Sequence, residues 1–289
     1  MQLQNAKQRF EAQSLKLAAI SYDSPAILKD FAERHKIDFP LLADPNSEII
    51  RRFNVLNTEA KGMTKGMAYP GFFYVDASGV VREKYFTAKY TDRLTANNVI
   101  AKLFPELSAE VSQNVEAPHL RLALAQSDRS VIPGGRVSLI AEIELAPGVH
   151  RYSPGVQGYK PIQLTVQEIP GIELQPVIYP SSKMLYLEAI QEQVPVYEGK
   201  FRITRDLTVI PSRTSDAVRS LFSHKRTIPI TGELKYQACD KTICYPPTSV
   251  PVRWELQVLP LDLKRSPEAI QPPPRIRTGG FPASGSCLR

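Results

Sequence analysis

The chain has 289 residues, enough for two domains of ordinary size, and its 43% apolar and 22% charged residues can build buried cores. No apolar run approaches the ~18 residues of a membrane span, and MQLQNAKQRF at the start has no apolar segment typical of a secretory signal peptide. The net charge of +7 does not indicate nucleic-acid binding, because +4 of it lies in the Pro-rich residues 263–289.

Residues 1–104 show helical and strand patterns in alternation, which predicts an α/β layer arrangement. Ser24 followed by Pro25 is a helix start signal, and Asp76-Ala77-Ser78-Gly79 is a hairpin turn. The predicted elements are, in chain order, helix 3–13, strand 15–22, a helix from Pro25, a short helix after Asp44, strands 71–75 and 80–86, and a helix over 91–104.

After Pro105 the helical period fades, and short runs of Val, Ile, Leu and Tyr alternate with Pro and Gly. Regular short strands with turns between them predict an antiparallel β-sandwich over residues 118–262. Residues 105–117 are interpreted as a linker, and residues 263–289, with PPP, GG and SGS, as a disordered tail. The clearest strand runs are 137–145, 161–169, 200–210, 227–238 and 250–259.

Two segments of the first domain carry a family resemblance. FPLLADP (39–45) and the Pro-x-x-Phe-x-x-Asp-x-x-Gly pattern of Pro70 to Gly79 resemble the peroxiredoxin (AhpC/TSA) branch of the thioredoxin superfamily over residues 1–104. The resemblance implies a thioredoxin-like fold in which Pro70 is a cis-proline that faces the active-site cysteine; the alternative is an ordinary loop proline before a strand.

The chemistry of that family needs a thiolate at a helix amino terminus, and this sequence does not supply one there. Residues 1–238 contain no cysteine, and the strand that precedes the first helix in the resembled fold is not in the sequence. We therefore expect an incomplete thioredoxin-like domain without peroxidase activity. Its strands 15–22 and 71–76 either close together or leave the domain unstable alone, and a start codon farther upstream is the third possibility.

The sharpest chemical signal lies in TGELKYQACDKTICYPPTSVPVRWEL, residues 231–256. Cys239 and Cys244 are separated by four residues, so a hairpin can bring their sulfurs within bonding distance. Such a disulfide closes a small loop and stabilises the fold less than one that closes a long loop. The spacing therefore favours exchange chemistry over a purely structural bond, which stays the alternative.

The pattern Tyr-Gln-x-Cys…Cys-Tyr-Pro-Pro resembles the amino-terminal domain of the thiol:disulfide interchange protein DsbD, over about residues 117–260. The resemblance implies an immunoglobulin-like sandwich and a thioredoxin-like protein as electron donor or acceptor. It further implies that Cys239 and Cys244 are the redox pair, surrounded by Tyr236, Tyr245 and Pro246, with a cap expected from residues 183–193. The resembled domain is periplasmic, whereas this sequence itself does not indicate a compartment or an oligomeric state.

Other candidate sites are weaker. His35, His119, His150 and His224 show no metal-ligand spacing with the pair, and the sequence has no glycine-rich phosphate loop, so no metal or cofactor is expected. His150-Arg151-Tyr152 either lines the mouth near the cysteines or ends a strand. Cys287, in the tail, is interpreted as a free thiol. Two functions remain open, an electron relay and a non-catalytic binding module with a structural disulfide.

Overall fold

The structure is a computed structural model that describes residues 2–87, 89, 92–107, 110–188, 191–210, 226–260, 264 and 266–271. The chain divides into two compact units. The smaller unit holds residues 14–69 and the described residues from 264 onward, and the larger unit holds residues 2–13 and 70–260. The described part of the chain contains the helices α1 (Gln2–Glu11), α2 (Pro25–His35), α3 (Glu48–Arg52) and α4 (Ala96–Leu103).

The smaller unit is a β-α-β arrangement. Strands β1 (Ala19–Ser21) and β2 (Leu41–Ala43) pair in parallel, and α2 connects them. Helix α2 begins as predicted, because Ser24 Oγ accepts a hydrogen bond from the Ile27 N–H and Pro25 occupies the first turn. The Asp44 carboxylate accepts the N–H groups of Glu48 and Ile50 at 2.9 Å, which starts α3.

Two expectations for the thioredoxin-like portion need correction. The predicted strand 15–22 is shortened to the three residues of β1, because its partner β2 is equally short and was missed in the sequence. The described residues contain no cis peptide bond, so the prediction of a cis-proline at Pro70 is wrong. A trans X–Pro bond is favoured by about 0.5–1 kcal/mol unless surrounding contacts impose the cis form.

The hairpin of β3 (Gly71–Val75) and β4 (Val81–Phe86) has the predicted bounds within one residue. The Asp76 carboxylate accepts hydrogen bonds from the Ser78 N–H and the Val80 N–H, which closes the turn. Strands β1 and β2 form one two-stranded sheet, and β3 and β4 form another. The strands predicted at 15–22 and 71–75 therefore belong to different sheets.

The β-sandwich occupies most of the larger unit and confirms the predicted fold class, an α/β portion followed by an all-β immunoglobulin-like sandwich. Its strands are β5 (Arg93–Leu94), β6 (Val111–Ala117), β7 (Leu120–Gln126), β8 (Ser130–Val131), β9 (Gly135–Leu145), β10 (His150–Tyr152), β11 (Gln163–Val166), β12 (Ile172–Ile178), β13 (Lys183–Leu187), β14 (Glu192–Glu198), β15 (Lys200–Val209), β16 (Arg226–Tyr236) and β17 (Thr248–Val258).

Three sheets result from these strands. The largest has the order β12-β15-β9-β7-β6, with β5 parallel to β9 at its start. The second has the order β11-β16-β17-β8, and the third has the order β10-β14-β13. Alternate residues of β17 are buried, as expected for a strand with one face on a core. Trp254 on that strand is only 1% exposed, and its indole N–H donates to the Ala125 carbonyl at 2.8 Å.

The sandwich begins earlier than the sequence predicts. Strand β6 covers the second half of the predicted linker and pairs with β7. It was missed because it lies at the edge of its sheet, where its mostly exposed side chains give no apolar pattern. Apart from residues 264 and 266–271, the predicted disordered tail lies outside the described residues. None of the described helices combines the length and the apolarity needed to cross a bilayer.

Candidate functional site

The cysteine pair lies in the connection between β16 and β17, as the hairpin prediction requires. Cys239 and Cys244 form a disulfide with their Cα atoms 4.0 Å apart. The hydrogen bonds flank the pair: the Tyr245 N–H donates to the Ala238 carbonyl at 2.7 Å, and the Asp240 N–H donates to the Ile243 carbonyl at 2.9 Å. The cysteines therefore occupy a non-hydrogen-bonded antiparallel pair, the position where opposite side chains come closest.

His150 lies on the other side of Cys239. The His150 N–H donates to the Cys239 carbonyl at 2.9 Å, and the Cys239 N–H donates to the His150 carbonyl at 3.2 Å. The bridges from His150 to Cys239 and from Cys239 to Cys244 are both antiparallel, so the three residues form one row across three chain segments. Directly opposite residues point to the same face of a sheet, so these three side chains are neighbours.

The two cysteines differ in exposure. Cys239 is 1% exposed and packs in a small apolar cluster with Tyr152, Val194 and Val196, whereas Cys244 is exposed. The Tyr152 hydroxyl lies 3.8 Å from Cys244 Sγ. A reagent or partner protein that approaches from solvent therefore meets Cys244 first.

Asp240 organises the loop between the two cysteines. Its Oδ1 accepts hydrogen bonds from the Thr242 N–H at 2.7 Å, the Thr242 hydroxyl at 2.8 Å and the Ile243 N–H at 2.9 Å. Its Oδ2 accepts the Tyr245 hydroxyl at 2.8 Å. These donors, the backbone N–H of Ile243 first, hold the pKa of Asp240 below its ordinary value. The loop is thus tied by an ionised carboxylate at neutral pH.

Aromatic rings support the loop from the side. The ring of Tyr245 stacks on that of His119, with centroids 3.9 Å apart, and the Gln237 side-chain amide donates to the Tyr245 carbonyl at 3.0 Å. Pro246 is exposed beside it. Ile243, next to Cys244, is 54% exposed, which leaves an apolar side chain available at the rim of the disulfide.

Arg151 is fully buried beneath this arrangement. Its guanidinium carbon lies 4.6 Å from the centre of the Tyr236 ring, and its N–H groups donate to the carbonyls of His150 and His119 at 3.1 and 3.3 Å. Burial lowers the pKa of Arg151 to about 10. Tyr236, itself buried, donates its hydroxyl to the Pro118 carbonyl at 3.0 Å. Arg151 thereby joins β10 to β16 by a cation–π contact and to the chain at His119 by one hydrogen bond.

The structure brings together most of the residues singled out in the sequence. The segment His150-Arg151-Tyr152 is both a strand and a lining of the site, so the two alternatives are not exclusive. Within residues 183–193, the hairpin of β13 and β14 places Leu185 and Leu187 against the cluster that contains Cys239, while its turn residues 189 and 190 lie outside the described residues.

Sequence reasoning missed Asp240 and His119. The sequence does contain a signal for Asp240, since an Asp two residues before a Thr in a short loop is typical of an Asx turn. The sequence contains no signal for His119, because its stacking on Tyr245 joins distant parts of the chain. The described residues offer no group of three or more His, Cys, Asp or Glu side chains that could hold a metal ion.

Fold and site together define a β-sandwich with a hairpin disulfide, one sulfur of which is exposed. Residues 122–253, which include both cysteines, match the family model "Thiol:disulfide interchange protein DsbD, N-terminal". Residues 1–84 match the model of the AhpC/TSA family. Both resemblances found in the sequence are therefore confirmed. Among curated proteins, no match to the chain is found.

The solved structures similar to this chain include two N-terminal domains. The N-terminal periplasmic domain of ScsB from Proteus mirabilis is 15% identical with a TM-score of 0.36, over 50% of this chain and 51% of that chain. The Neisseria meningitidis DsbD N-terminal domain in the reduced form is 16% identical with a TM-score of 0.27, over 40% of this chain and 75% of that chain. The match thus spans about half the length of the ScsB structure.

Proposed function

We propose that this protein is an electron relay in which Cys239 and Cys244 cycle between disulfide and dithiol. A thioredoxin-like protein acts as electron donor, and an oxidised protein accepts the electrons. The observation that carries the proposal is the unequal exposure of the two cysteines of a hairpin disulfide, with Cys244 exposed and Cys239 buried. The match of this region to the DsbD N-terminal family supports it.

The reductive step begins at Cys244, because its sulfur is the one that a partner can reach. A thiolate of the donor attacks Cys244 Sγ, the Cys239–Cys244 bond breaks, and the electron pair of that bond leaves on Cys239 Sγ. The second thiolate of the donor then attacks the sulfur of the donor's first cysteine in the mixed disulfide. Cys244 leaves as thiolate, the donor is oxidised to a disulfide, and the pair has gained two electrons and two protons.

Transfer to an acceptor runs in the opposite direction. The Cys244 thiolate attacks the disulfide of the acceptor and forms a mixed disulfide, and Cys239 resolves it by attacking Cys244 Sγ. The apolar side chain of Ile243 and the ring of Tyr245 flank Cys244 and provide contact area for the docked partner. We assign Tyr236 and Pro246 to the surround of the site, with Tyr236 holding Arg151.

The AhpC/TSA-like portion has a different role in this proposal. Residues 1–238 contain no cysteine, so this portion supplies no thiol within the given sequence. We assign it the role of scaffold or docking surface, and we expect no peroxidase activity from the chain.

The reduction potential of the Cys239–Cys244 couple tests the proposal. Protein in graded thiol buffers is alkylated, and mass spectrometry gives the reduced fraction; a Cys287→Ser background removes the third thiol. We expect a potential well above about −300 mV, the upper range of structural disulfides in secreted proteins. A lower value, or no reduction of the native protein, would support the alternative, a binding module with a structural bond.

The order of attack has its own test. A donor protein that retains only its attacking cysteine is incubated with oxidised protein that carries Cys239→Ser or Cys244→Ser, each preactivated as a mixed disulfide with glutathione. The Cys239→Ser protein should accumulate a stable complex through Cys244. Complex formation through Cys239 at an equal rate in the Cys244→Ser protein would contradict the assignment.

A further inference from the structure

His150 is a buried polar side chain that the exchange steps above do not use. It is 3% exposed, and within the described residues its Nε2 atom has no hydrogen-bond partner although it is buried. A buried polar atom without a partner is costly, and each such atom in a folded protein calls for an explanation. The neighbours of His150 supply one.

His150 is paired through its backbone with the buried cysteine, Cys239. His150 and Cys239 exchange both backbone hydrogen bonds, so they are directly opposite each other in an antiparallel pair. The Cβ atoms of such residues are about 4.5–5.5 Å apart on the same face. Arg151, between His150 and Tyr152 on the same strand, points to the other face, toward the ring of Tyr236. The ring of His150 instead contacts Tyr152, which belongs to the same cluster as Cys239, with centroids 5.5 Å apart.

We propose that His150 is the proton acceptor for the Cys239 thiol and thereby activates the buried cysteine for resolution of the mixed disulfide. This inference rests on the proposed relay function and adds a proton path to it. A buried thiol has no water to take its proton, and an adjacent neutral imidazole activates a cysteine by accepting that proton. The unpartnered Nε2 is the free acceptor that this role requires.

The step balances as follows. The Cys239 thiol gives its proton to His150 Nε2, and the resulting thiolate attacks Cys244 Sγ. The bond between Cys244 and the partner sulfur breaks, the Cys239–Cys244 disulfide forms, and the partner leaves as thiolate. The imidazolium then returns its proton to solvent or to the leaving sulfur. In the reductive direction, the imidazole takes up a proton from solvent and passes it to Cys239 as the disulfide opens.

The charges around His150 suit a base that is neutral before the reaction. Burial lowers the pKa of His150, and the cation of Arg151 on the same strand acts in the same direction. The carboxylates of Glu198, opposite His150 on β14, and of Asp240, in the cysteine loop, raise it. Besides these groups, the ring of Tyr152 contacts the imidazole, and Cys239 is the residue directly opposite His150. The two carboxylates favour the imidazolium once it has formed.

The test separates attack from resolution. Reduced protein in the Cys287→Ser background is mixed with an excess of a chromogenic aromatic disulfide in a stopped-flow instrument. The first aromatic thiolate reports attack by Cys244, and the second reports resolution by Cys239. His150→Gln should slow the second phase about 100-fold, the lower end of the range for a positioned acid–base group, and leave the first phase unchanged. The matched control His35→Gln, on α2, should change neither phase.

The outcomes distinguish this inference from the proposed function. A second phase in the wild-type protein with no effect of His150→Gln would overturn the role of His150 and leave the relay intact. A wild-type protein without any second phase would refute the relay itself. A measurement without substitution guards against a misfolded variant: the pKa of His150, followed by NMR, should differ between the reduced and oxidised proteins. Identical titration of His150 in both states would refute the inference.

Discussion

Reduction of the Cys239–Cys244 disulfide should lower the free energy of unfolding of the sandwich by about 2 kcal/mol and leave the protein folded. The ring runs from Cys239 to Cys244, five positions apart in sequence. The chain-entropy relation for so small a ring gives about 2 kcal/mol at 25 °C, against about 4.7 kcal/mol for a loop of 100 residues.

The structure gives no reason for a larger loss. The hydrogen bonds from the Tyr245 N–H to the Ala238 carbonyl and from the Asp240 N–H to the Ile243 carbonyl do not involve the sulfurs, so the hairpin keeps its register when the bond opens. Cys239 stays buried in its apolar cluster as a thiol, which behaves as a small apolar side chain. The cost of reduction is therefore the entropy of the ring alone.

Urea unfolding and thermal unfolding, each followed by Trp254 fluorescence, measure this loss. Trp254 is the single tryptophan of the chain and lies in the core of the sandwich, so its signal reports that unit. In the Cys287→Ser background, the reduced protein should show a Tm about 4–8 °C lower than the oxidised protein. The Cys239→Ser/Cys244→Ser variant should not respond to reductant. A loss above about 4 kcal/mol, as for a bond that closes a long loop, would refute the reasoning and make the disulfide a structural one.

Three further predictions concern single residues that stabilise the fold. Gly232→Ala should lower the free energy of unfolding by about 1–3 kcal/mol in urea titrations, because its new Cβ would lie 2.0 Å from the Thr165 carbonyl oxygen of the paired strand; an unchanged midpoint would contradict the packing. Trp254→Ala should lower the free energy of unfolding by about 3–5 kcal/mol, measured by circular dichroism, since the indole is 1% exposed and its N–H donates a hydrogen bond. A loss below about 1 kcal/mol would contradict the place of Trp254 in the core. The pKa of Asp76 is lowered to about 2, first by the Ser78 hydroxyl, so its contribution to the β3–β4 hairpin should be present above pH 3.8 and lost as the pH falls through 2; NMR titration of the Asp76 carboxyl at its ordinary pKa would refute this.

Local signals in the sequence predicted most of the fold. Ser24-Pro25 marked the start of α2, the Asp76 turn marked the β3–β4 hairpin, and the long apolar runs marked β9, β15, β16 and β17. The strands that the sequence did not reveal have no apolar pattern of their own and depend on pairing with a neighbouring strand. Strand β2 has three residues, and β6 has exposed side chains that carry no pattern, so each is defined only by the strand beside it.

The site, too, has features that the sequence predicted and features that it did not. The spacing of Cys239 and Cys244 predicted the hairpin disulfide, because five positions and a turn suffice to specify it. The unequal exposure of the two sulfurs could not be read from the sequence, since it depends on Tyr152, Val194 and Val196 from two other strands. The wrong prediction for Pro70 has a different origin. A motif shared with a family does not determine whether an X–Pro bond is cis or trans, because contacts outside the motif decide it.

The separation of the disulfide from the main core is what makes repeated opening compatible with a stable fold. Trp254 and Tyr236 belong to the large apolar core between the sheets, whereas Cys239 belongs to a small cluster of its own with Tyr152. A bond in the large core could open only if the packing of both sheets changed. Here the change falls on a ring that contributes about 2 kcal/mol, and the backbone hydrogen bonds that hold the loop do not involve the sulfurs. In the proposed relay, opening of the disulfide at the edge of the sandwich should therefore leave the packing of its centre unchanged.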